Sequence, residues 1–228
     1  MKTLRAVAAV FCTLSLSVCS ADGGKTAAAP ATEDEKTLYA LGYLVSGQLE
    51  SFNLKPEEVV QVQKGLADGL TGATPAVNAE EYMQKIQALN MARMQQIADK
   101  GAAEGAAYVE KAAQESGATR LASGMVIKHT QEGTGASPAA TDQVTVHYEG
   151  RLINGEVFDS SMKRGAPATF PLDGVIRCWT EGVQTMKVGG KAQLTCPADL
   201  AYGAQGRPGT IPPQATLIFD VELIDIVK

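Results

Sequence analysis

The chain of 228 residues is long enough for one large domain or two smaller ones, and 45% of its residues are hydrophobic, as in ordinary globular proteins. Its 20 basic and 25 acidic side chains give a formal net charge of −5, and an acidic chain without a basic stripe argues against nucleic acid as a partner. Beyond the N-terminus, no apolar stretch approaches the roughly 20 residues that a membrane-spanning helix needs.

The first 21 residues have the pattern of a signal peptide. Lys2 and Arg5 precede an apolar run of about 13 residues at positions 6–18, which is too short to span a bilayer. We therefore expect the protein to be exported from a bacterial cytoplasm, to the periplasm or the outer membrane. Residues 22–32 then form a flexible tether, because they are mostly small.

The end of the signal peptide has two interpretations. Residues 16–19 resemble a bacterial lipobox, in which Cys19 becomes lipidated, although Val18 is larger than the residue usual before that cysteine. Cleavage after Ala21 is the alternative. A lipid anchor on Cys19 is the only membrane contact that the sequence predicts.

The first half of the remaining chain, residues 33–116, is predicted to be helical. Apolar residues recur at three- and four-residue steps between Leu38 and Phe52, and again between Val59 and Leu70 after Pro56, a suitable first-turn residue. A capping box at Asn78 opens a third helix of about 38 residues, since no proline or turn cluster interrupts it. The second half of that helix is mostly Ala, Glu, Gly and Lys, and we expect it to be a solvated connecting rod.

These helices predict a dimer. Two short helices and half of a long one bury too little apolar surface for an independent core. A second copy would cover the exposed stripes, so we expect a homodimer through residues 33–100.

The second half, residues 120–228, is predicted to be α+β. Residues 125–127, 144–148, 191–196 and 217–223 have the alternation and β-branched content of strands, and Asn154-Gly155 predicts a two-residue hairpin turn. One short helix fits near Trp179, and residues 197–213 form a long loop of the kind that is usually functional. The expected fold is an antiparallel sheet curled over one helix, preceded by an all-α segment.

No motif for acid–base, nucleophilic or metal chemistry is present in this half. His129 and His147 have no Cys or carboxylate at metal-ligand spacing, and we expect His147 to lie on a sheet surface. Asp159-Ser-Ser161 lacks a neighbouring base, so turn capping explains it better than a nucleophile. We expect no metal and no cofactor.

Aromatic residues distinguish the second half instead. Trp179 is the only tryptophan, and taken alone it is either a core residue or the floor of a pocket. Tyr148, Phe158, Tyr202 and Phe219 lie in separate strands and loops, and together with apolar neighbours they could line one pocket with two hydroxyl groups.

Six ordered motifs carry a resemblance to a known family. They are VHYEG at 146–150, FDSS at 158–161, GVI at 174–176 followed by Trp179, LAYG at 200–203, IPP at 211–213 and ATLIFDVEL at 215–223. Residues 120–228 are similar to an FKBP-type peptidyl-prolyl cis–trans isomerase domain. The order of signal, helices and this domain resembles the Mip/FkpA-like subgroup.

The resemblance implies an isomerase of X–Pro bonds in exported proteins that is also a folding chaperone and binds FKBP-type macrolide inhibitors. It implies catalytic roles for Tyr148, Phe158, Asp159, Ile176, Trp179 and Tyr202, and substrate-binding roles for Arg164, Val175, Ile211 and Phe219. Trp179 would then be the pocket floor. The alternatives are a chaperone or peptide-binding module with incidental catalysis, and a surface adhesin that uses the acidic helices.

Three positions depart from the family pattern. Ala168 and Arg207 replace an aromatic wall residue and a loop histidine of the smallest members, which leaves substrate preference open. Cys178 replaces the usual glycine before Trp179. It could pair with Cys196 in an oxidising compartment, but we favour two buried free thiols, because the sequence cannot establish disulfide geometry.

Overall fold

The computed structural model describes residues 29–227. The predicted signal peptide, Cys19 and most of the tether lie outside the described residues. The chain divides into two compact units, Met1–Gly42 and Tyr43–Lys228, and every contact discussed below lies within the second. Within residues 29–227, no helix combines the length and the apolarity that crossing a membrane requires.

Between residue 29 and the sheet, three helices are present, as predicted. They are α1 (Glu33–Ser46), α2 (Pro56–Thr71) and α3 (Ala79–Ala113), and a 3₁₀ turn at Gly47–Phe52 follows α1. The expected first stripe therefore continues past the end of α1 into a tighter turn. Asn78 caps α3 by accepting a hydrogen bond from the Glu80 N–H, and its side-chain amide also donates to Glu81.

The solvated-rod prediction for the second half of α3 is wrong. Gly105, Val109 and Ala112 are buried there, and Val109 and Ala112 pack against Val126 of the sheet. A Cβ at Gly105 would lie 2.4 Å from the Thr216 hydroxyl oxygen, so only glycine permits this approach. Small residues thus dock the helix on the sheet domain, although they carry little hydrophobic signal in a sequence.

Seven antiparallel strands form one sheet. They are β1 (Ala118–Arg120), β2 (Val126–Gln131), β3 (Gln143–Leu152), β4 (Val157–Ser160), β5 (Ala168–Pro171), β6 (Lys191–Cys196) and β7 (Leu217–Val227). The order is β1-β2-β6-β7-β3-β4, and β5 pairs with β3. The predicted hairpin joins β3 to β4, with Gly155 at φ 89°, and the α+β architecture is confirmed.

One short helix, α4 (Arg177–Val183), packs against one face of this sheet. Its inward residues join alternate residues of the long central strands β3 and β7 in one continuous core, of which Val144, Val146, Leu217 and Leu223 are wholly buried. The core therefore lies between α4 and the sheet, and it places Trp179 beneath the strand residues that face it.

Candidate active site

Trp179 is the centre of an aromatic cluster in the core between α4 and the sheet. It is 4% exposed, and three rings meet it edge-on: Tyr148 at 5.1 Å, Phe219 at 5.5 Å and Phe170 at 5.8 Å between centroids. Edge-to-face contacts of this kind fix ring orientation as well as burying apolar area. Among the described residues the indole Nε1 has no hydrogen-bond partner.

The strand register aligns the walls of this cluster. Tyr148 on β3 lies opposite Val221 on β7, and Gly150 lies opposite Phe219. A Cβ at Gly150 would come within 2.8 Å of the rings of both Phe158 and Phe219, which lie 5.7 Å apart. Glycine at this position therefore lets two aromatic walls close over one strand.

A polar network borders the rings. The Tyr148 hydroxyl donates to Asp159 Oδ2 at 2.5 Å, and Arg164 donates both to Asp159 and to the Tyr148 oxygen, the latter at 2.9 Å. The Arg164 guanidinium also lies 5.4 Å from the centre of the Tyr148 ring, within cation–π range. One arginine thus holds both an aromatic wall and a carboxylate in place.

This network shifts the pKa values of Tyr148 and Asp159. Burial raises the pKa of Tyr148, and the hydrogen bond to Asp159 raises it further. Burial alone would raise the pKa of Asp159, but the hydrogen bonds from Tyr148 and Arg164 outweigh that effect and lower this pKa below its usual value. The site therefore presents an ionised carboxylate beside a neutral phenol at neutral pH.

The remaining predicted residues fall into two groups. Val175 and Ile176 are half-buried and pack against the core cluster, and Ile211 belongs to it at 3% exposure. Within residues 29–227 the Ile176 N–H, just ahead of α4, donates no hydrogen bond. Tyr202 is 37% exposed, and its ring pairs with none of the aromatic rings described above.

Phe170 belongs to this cluster, and the sequence reasoning missed it. It lies on β5 two residues after Ala168, and its ring contacts both Tyr148, at 5.9 Å, and Trp179. The available signal was the period of two in residues 168–170, which puts both side chains on one face. Phe170 thus supplies an aromatic wall next to the small Ala168.

The free-thiol expectation is wrong, because Cys178 and Cys196 form a disulfide. Their Cα atoms lie 5.6 Å apart, and both residues are fully buried. The bridge joins α4, one residue before Trp179, to the end of β6. It therefore ties the helix that carries the indole to the sheet behind it.

No group of three or more His, Cys, Asp or Glu side chains in residues 29–227 is arranged to hold a metal ion. What the described site offers is an enclosed set of rings with a carboxylate–phenol–guanidinium network at its border. Such a site can bind a small apolar ring and align polar groups beside it.

Both halves of the chain match known protein families. Residues 135–224 match the family model of the FKBP-type peptidyl-prolyl cis-trans isomerase, and residues 34–128 match the domain amino terminal to FKBP-type peptidyl-prolyl isomerase. The chain belongs to the FKBP-type peptidyl-prolyl cis–trans isomerase family.

Individual members of this family are similar in sequence to most of the chain. It is 41% identical over 206 residues to the FKBP-type 22 kDa peptidyl-prolyl cis-trans isomerase of Escherichia coli (strain K12), covering 86% of this chain and 97% of that protein. It is 39% identical over 204 residues to the peptidyl-prolyl cis-trans isomerase Mip of Coxiella burnetii, covering 86% and 88%. The crystal structure of FkpA from Escherichia coli matches with a TM-score of 0.63 at 38% identity, covering 87% of this chain and 98% of that chain. The protein is an FKBP-type isomerase that carries the family's amino-terminal helical domain.

Proposed function

We propose that the protein accelerates rotation about X–Pro bonds of exported proteins by seating the proline ring on Trp179. The observation that carries this proposal is the meeting of three rings on one buried indole beside an ionised carboxylate. Amide resonance sets a rotation barrier of about 18–20 kcal/mol, and uncatalysed X–Pro isomerisation takes tens to hundreds of seconds.

Desolvation is the proposed source of catalysis. The planar amide has more charge separation than the twisted transition state, so an apolar pocket that excludes water disfavours the planar form more. Each 1.36 kcal/mol or so of that difference gives about a tenfold rate increase. Neither a nucleophile nor a metal is required for this mechanism.

Each candidate residue has a proposed role. Trp179 is the floor, and Tyr148, Phe158, Val175, Ile211 and Phe219 are the walls. The Ile176 N–H and the Tyr202 hydroxyl hold substrate carbonyl groups. Asp159 biases the reacting carbonyl, and Arg164 orients Asp159. The Arg164–Asp159 contact and the Ile176 N–H, which is unused among the described residues, support these assignments.

The test is a chromogenic prolyl-peptide assay on Trp179→Leu, Asp159→Leu and Tyr202→Phe. We expect each variant to lose activity, and an FKBP-type macrolide to inhibit the parent protein. Tyr82→Phe on α3 is a matched control for Tyr202→Phe, since Tyr82 is 40% exposed and Tyr202 is 37% exposed. Folded variants that all retain full activity would overturn the assignment of the site.

Residues 33–116 and 120–228 are the proposed domains, and residues 33–100 the proposed dimer contact. Exposed apolar side chains on α1 to α3 support this, among them Leu44 at 75%, Leu70 at 79% and Met91 at 73% exposure. Exposed apolar area on this scale is typical of interaction surfaces.

The same exposed side chains favour chaperone activity as a second function. A proline-free client protein tests it, because isomerisation cannot contribute there. Suppression of that client's aggregation by the Trp179→Leu variant would establish the activity, and its absence in the parent protein would exclude it.

Export to the periplasm or the outer membrane is proposed from the N-terminal sequence, with Cys19 as the lipidation candidate. Mass spectrometry of the mature protein distinguishes the two processing routes. A lipidated N-terminal Cys19 that is lost in Cys19→Ser supports a lipoprotein, and an unmodified N-terminus after Ala21 rules it out.

A further inference from the structure

A cavity of about 650 Å³ lies beside the isomerase site, outside the aromatic cluster. It is lined by the 3₁₀ turn Gly47–Phe52, the middle of α3 and the loop between β6 and β7. We call it the flanking cavity, and its principal lining residues are Glu50, Met94, Ile97, Leu152, Glu156 and Arg207. Its volume falls within the roughly 300–1,000 Å³ of ligand-binding pockets.

The flanking cavity shares two lining residues with the core cluster around Trp179. Leu152 and Ile211 line it and also belong to the buried cluster that contains Trp179. Residues 207–211 form a tight turn closed by paired hydrogen bonds, from the Arg207 N–H to the Ile211 oxygen at 2.7 Å and from the Ile211 N–H to the Arg207 oxygen at 2.8 Å. Ile211, at the end of this turn, is thus common to the cluster around Trp179 and to the flanking cavity.

The lining combines an apolar wall with unpaired charges. Met94 and Ile97 on α3 line the cavity together with Leu152 and three prolines of the loop. Glu50 and Glu156 form no salt bridge with any residue in the described range 29–227, and neither does Arg207. The Glu50 carboxylate lies over the turn, 3.7 Å from the position that a Cβ on Gly209 would occupy. Two carboxylates against one guanidinium favour a ligand with a positive charge.

We propose that the flanking cavity binds the residues next to the isomerised proline in the substrate, and that it selects apolar segments carrying a lysine or arginine. The proposal rests on the isomerase function assigned above and adds a substrate preference to it. The apolar wall would bury one or two substrate side chains, and Glu50 would pair with the basic residue. The occupant is therefore the client polypeptide itself, in extended form.

Peptides of two lengths test the proposal on the full chain. Exchange NMR, which needs no leaving group, would compare kcat/KM for a short prolyl peptide with that for the same peptide extended by a Leu- and Lys-containing segment on either side. We expect an increase of about fivefold for one of the two extensions, as for an added contact of about 1 kcal/mol. Replacing the lysine of the extension by glutamate should remove the increase.

Charge reversal within the cavity is the decisive variant. In Glu50→Lys the ratio of extended to short peptide should fall to about one, and the extension with glutamate should become the better substrate. Glu104→Lys is the matched control, since this exposed carboxylate lies on α3 outside the cavity, and it should keep the parent ratio.

Two results would overturn the proposal. One is an equal kcat/KM for short and extended peptides in the parent protein. The other is a change of the mass measured by sedimentation in Glu50→Lys. That change would show that the cavity is part of a contact between two copies of the chain. Neither result affects the isomerase assignment, which depends on the short peptide and on Trp179→Leu.

Discussion

Tyr148 contributes to the site through both its ring and its hydroxyl group. The ring meets Trp179 edge-on, while the hydroxyl donates to Asp159 and accepts from Arg164. Removing only the hydroxyl group deprives the Asp159 carboxylate of one hydrogen-bond donor. Removing the ring also takes away the aromatic contact with Trp179. Tyr148→Phe and Tyr148→Leu therefore separate the polar contribution to the site from the packing contribution.

The lowered pKa of Asp159 makes stability depend on pH. A carboxyl group whose folded-state pKa lies below its unfolded-state value stabilises the fold above that unfolded value, and this contribution is lost as the pH falls through the folded pKa. We expect Asp159→Asn to cost stability near neutral pH, with a difference from the parent that shrinks below about pH 4. Urea denaturation over a pH series measures it.

The control for this series is Asp173→Asn, an exposed carboxyl group outside the network. A difference between the parent and Asp159→Asn that stays constant from about pH 7 to about pH 3 would contradict the expectation.

Sequence motifs predict most of the individual residues of the site but not all of them. Tyr148, Phe158, Trp179 and Phe219 stand in motifs, and the structure brings their rings together. Phe170 stands in a four-residue strand, where its alternation with Ala168 is a signal of only two residues and is too weak to identify it. The Tyr148–Asp159 hydrogen bond depends on the register of β3 with β4, which no local pattern specifies.

At the scale of elements, the docking of α3 was not predictable from hydrophobic periodicity. The absence of helix breakers predicts its length, and the structure confirms a helix of 35 residues. Its contact with the sheet domain, however, combines one larger side chain, Val109, with Gly105 and Ala112, whose small size permits close approach but adds little apolar surface. Periodicity analysis weighs large side chains and therefore classifies such a face as solvated.

Gly105→Ala tests this contact. Alanine is about 1 kcal/mol better than glycine in a helix interior, but the added methyl group would meet the Thr216 side chain at 2.4 Å. We expect net destabilisation of about 1–3 kcal/mol from overpacking. Gly65→Ala in α2 is the matched control, because nothing lies within 4 Å of its Cβ position, and there we expect stabilisation of about 0.5–1 kcal/mol. Equal effects of the two substitutions would contradict the close approach.

The disulfide is a second connection between elements. It closes a loop across a sequence separation of 18 residues, for which chain entropy predicts about 3 kcal/mol of stabilisation. We expect reductant to lower the urea midpoint of the parent protein and to leave that of the Cys178→Ala/Cys196→Ala double variant unchanged. A parent midpoint that reductant does not shift would show that the bond adds no stability.

For the whole molecule, the apolar side chains of the helices predict the state of association. Leu66 on α2 is 48% exposed and Leu70 is 79% exposed. We expect the parent protein to sediment as a dimer and Leu66→Glu/Leu70→Glu as a monomer, because a buried unpaired charge opposes association. Gln63→Glu introduces one negative charge at an exposed polar position of α2 and should remain dimeric. A monomeric parent protein would contradict the proposed contact.

The small residues of α3 also have a mechanical consequence. From Ala79 to Gly101 the helix extends about 33 Å at 1.5 Å per residue, and its contact with the sheet domain lies near the far end. A rotation of about 10° around that contact would displace the first turn of α3 by about 6 Å. A Cβ at Gly101 would lie 2.9 Å from the Pro213 oxygen, so Gly101 closely approaches the loop before β7, just as Gly105 approaches Thr216. A small change of packing at these two glycines would therefore be amplified along the helix.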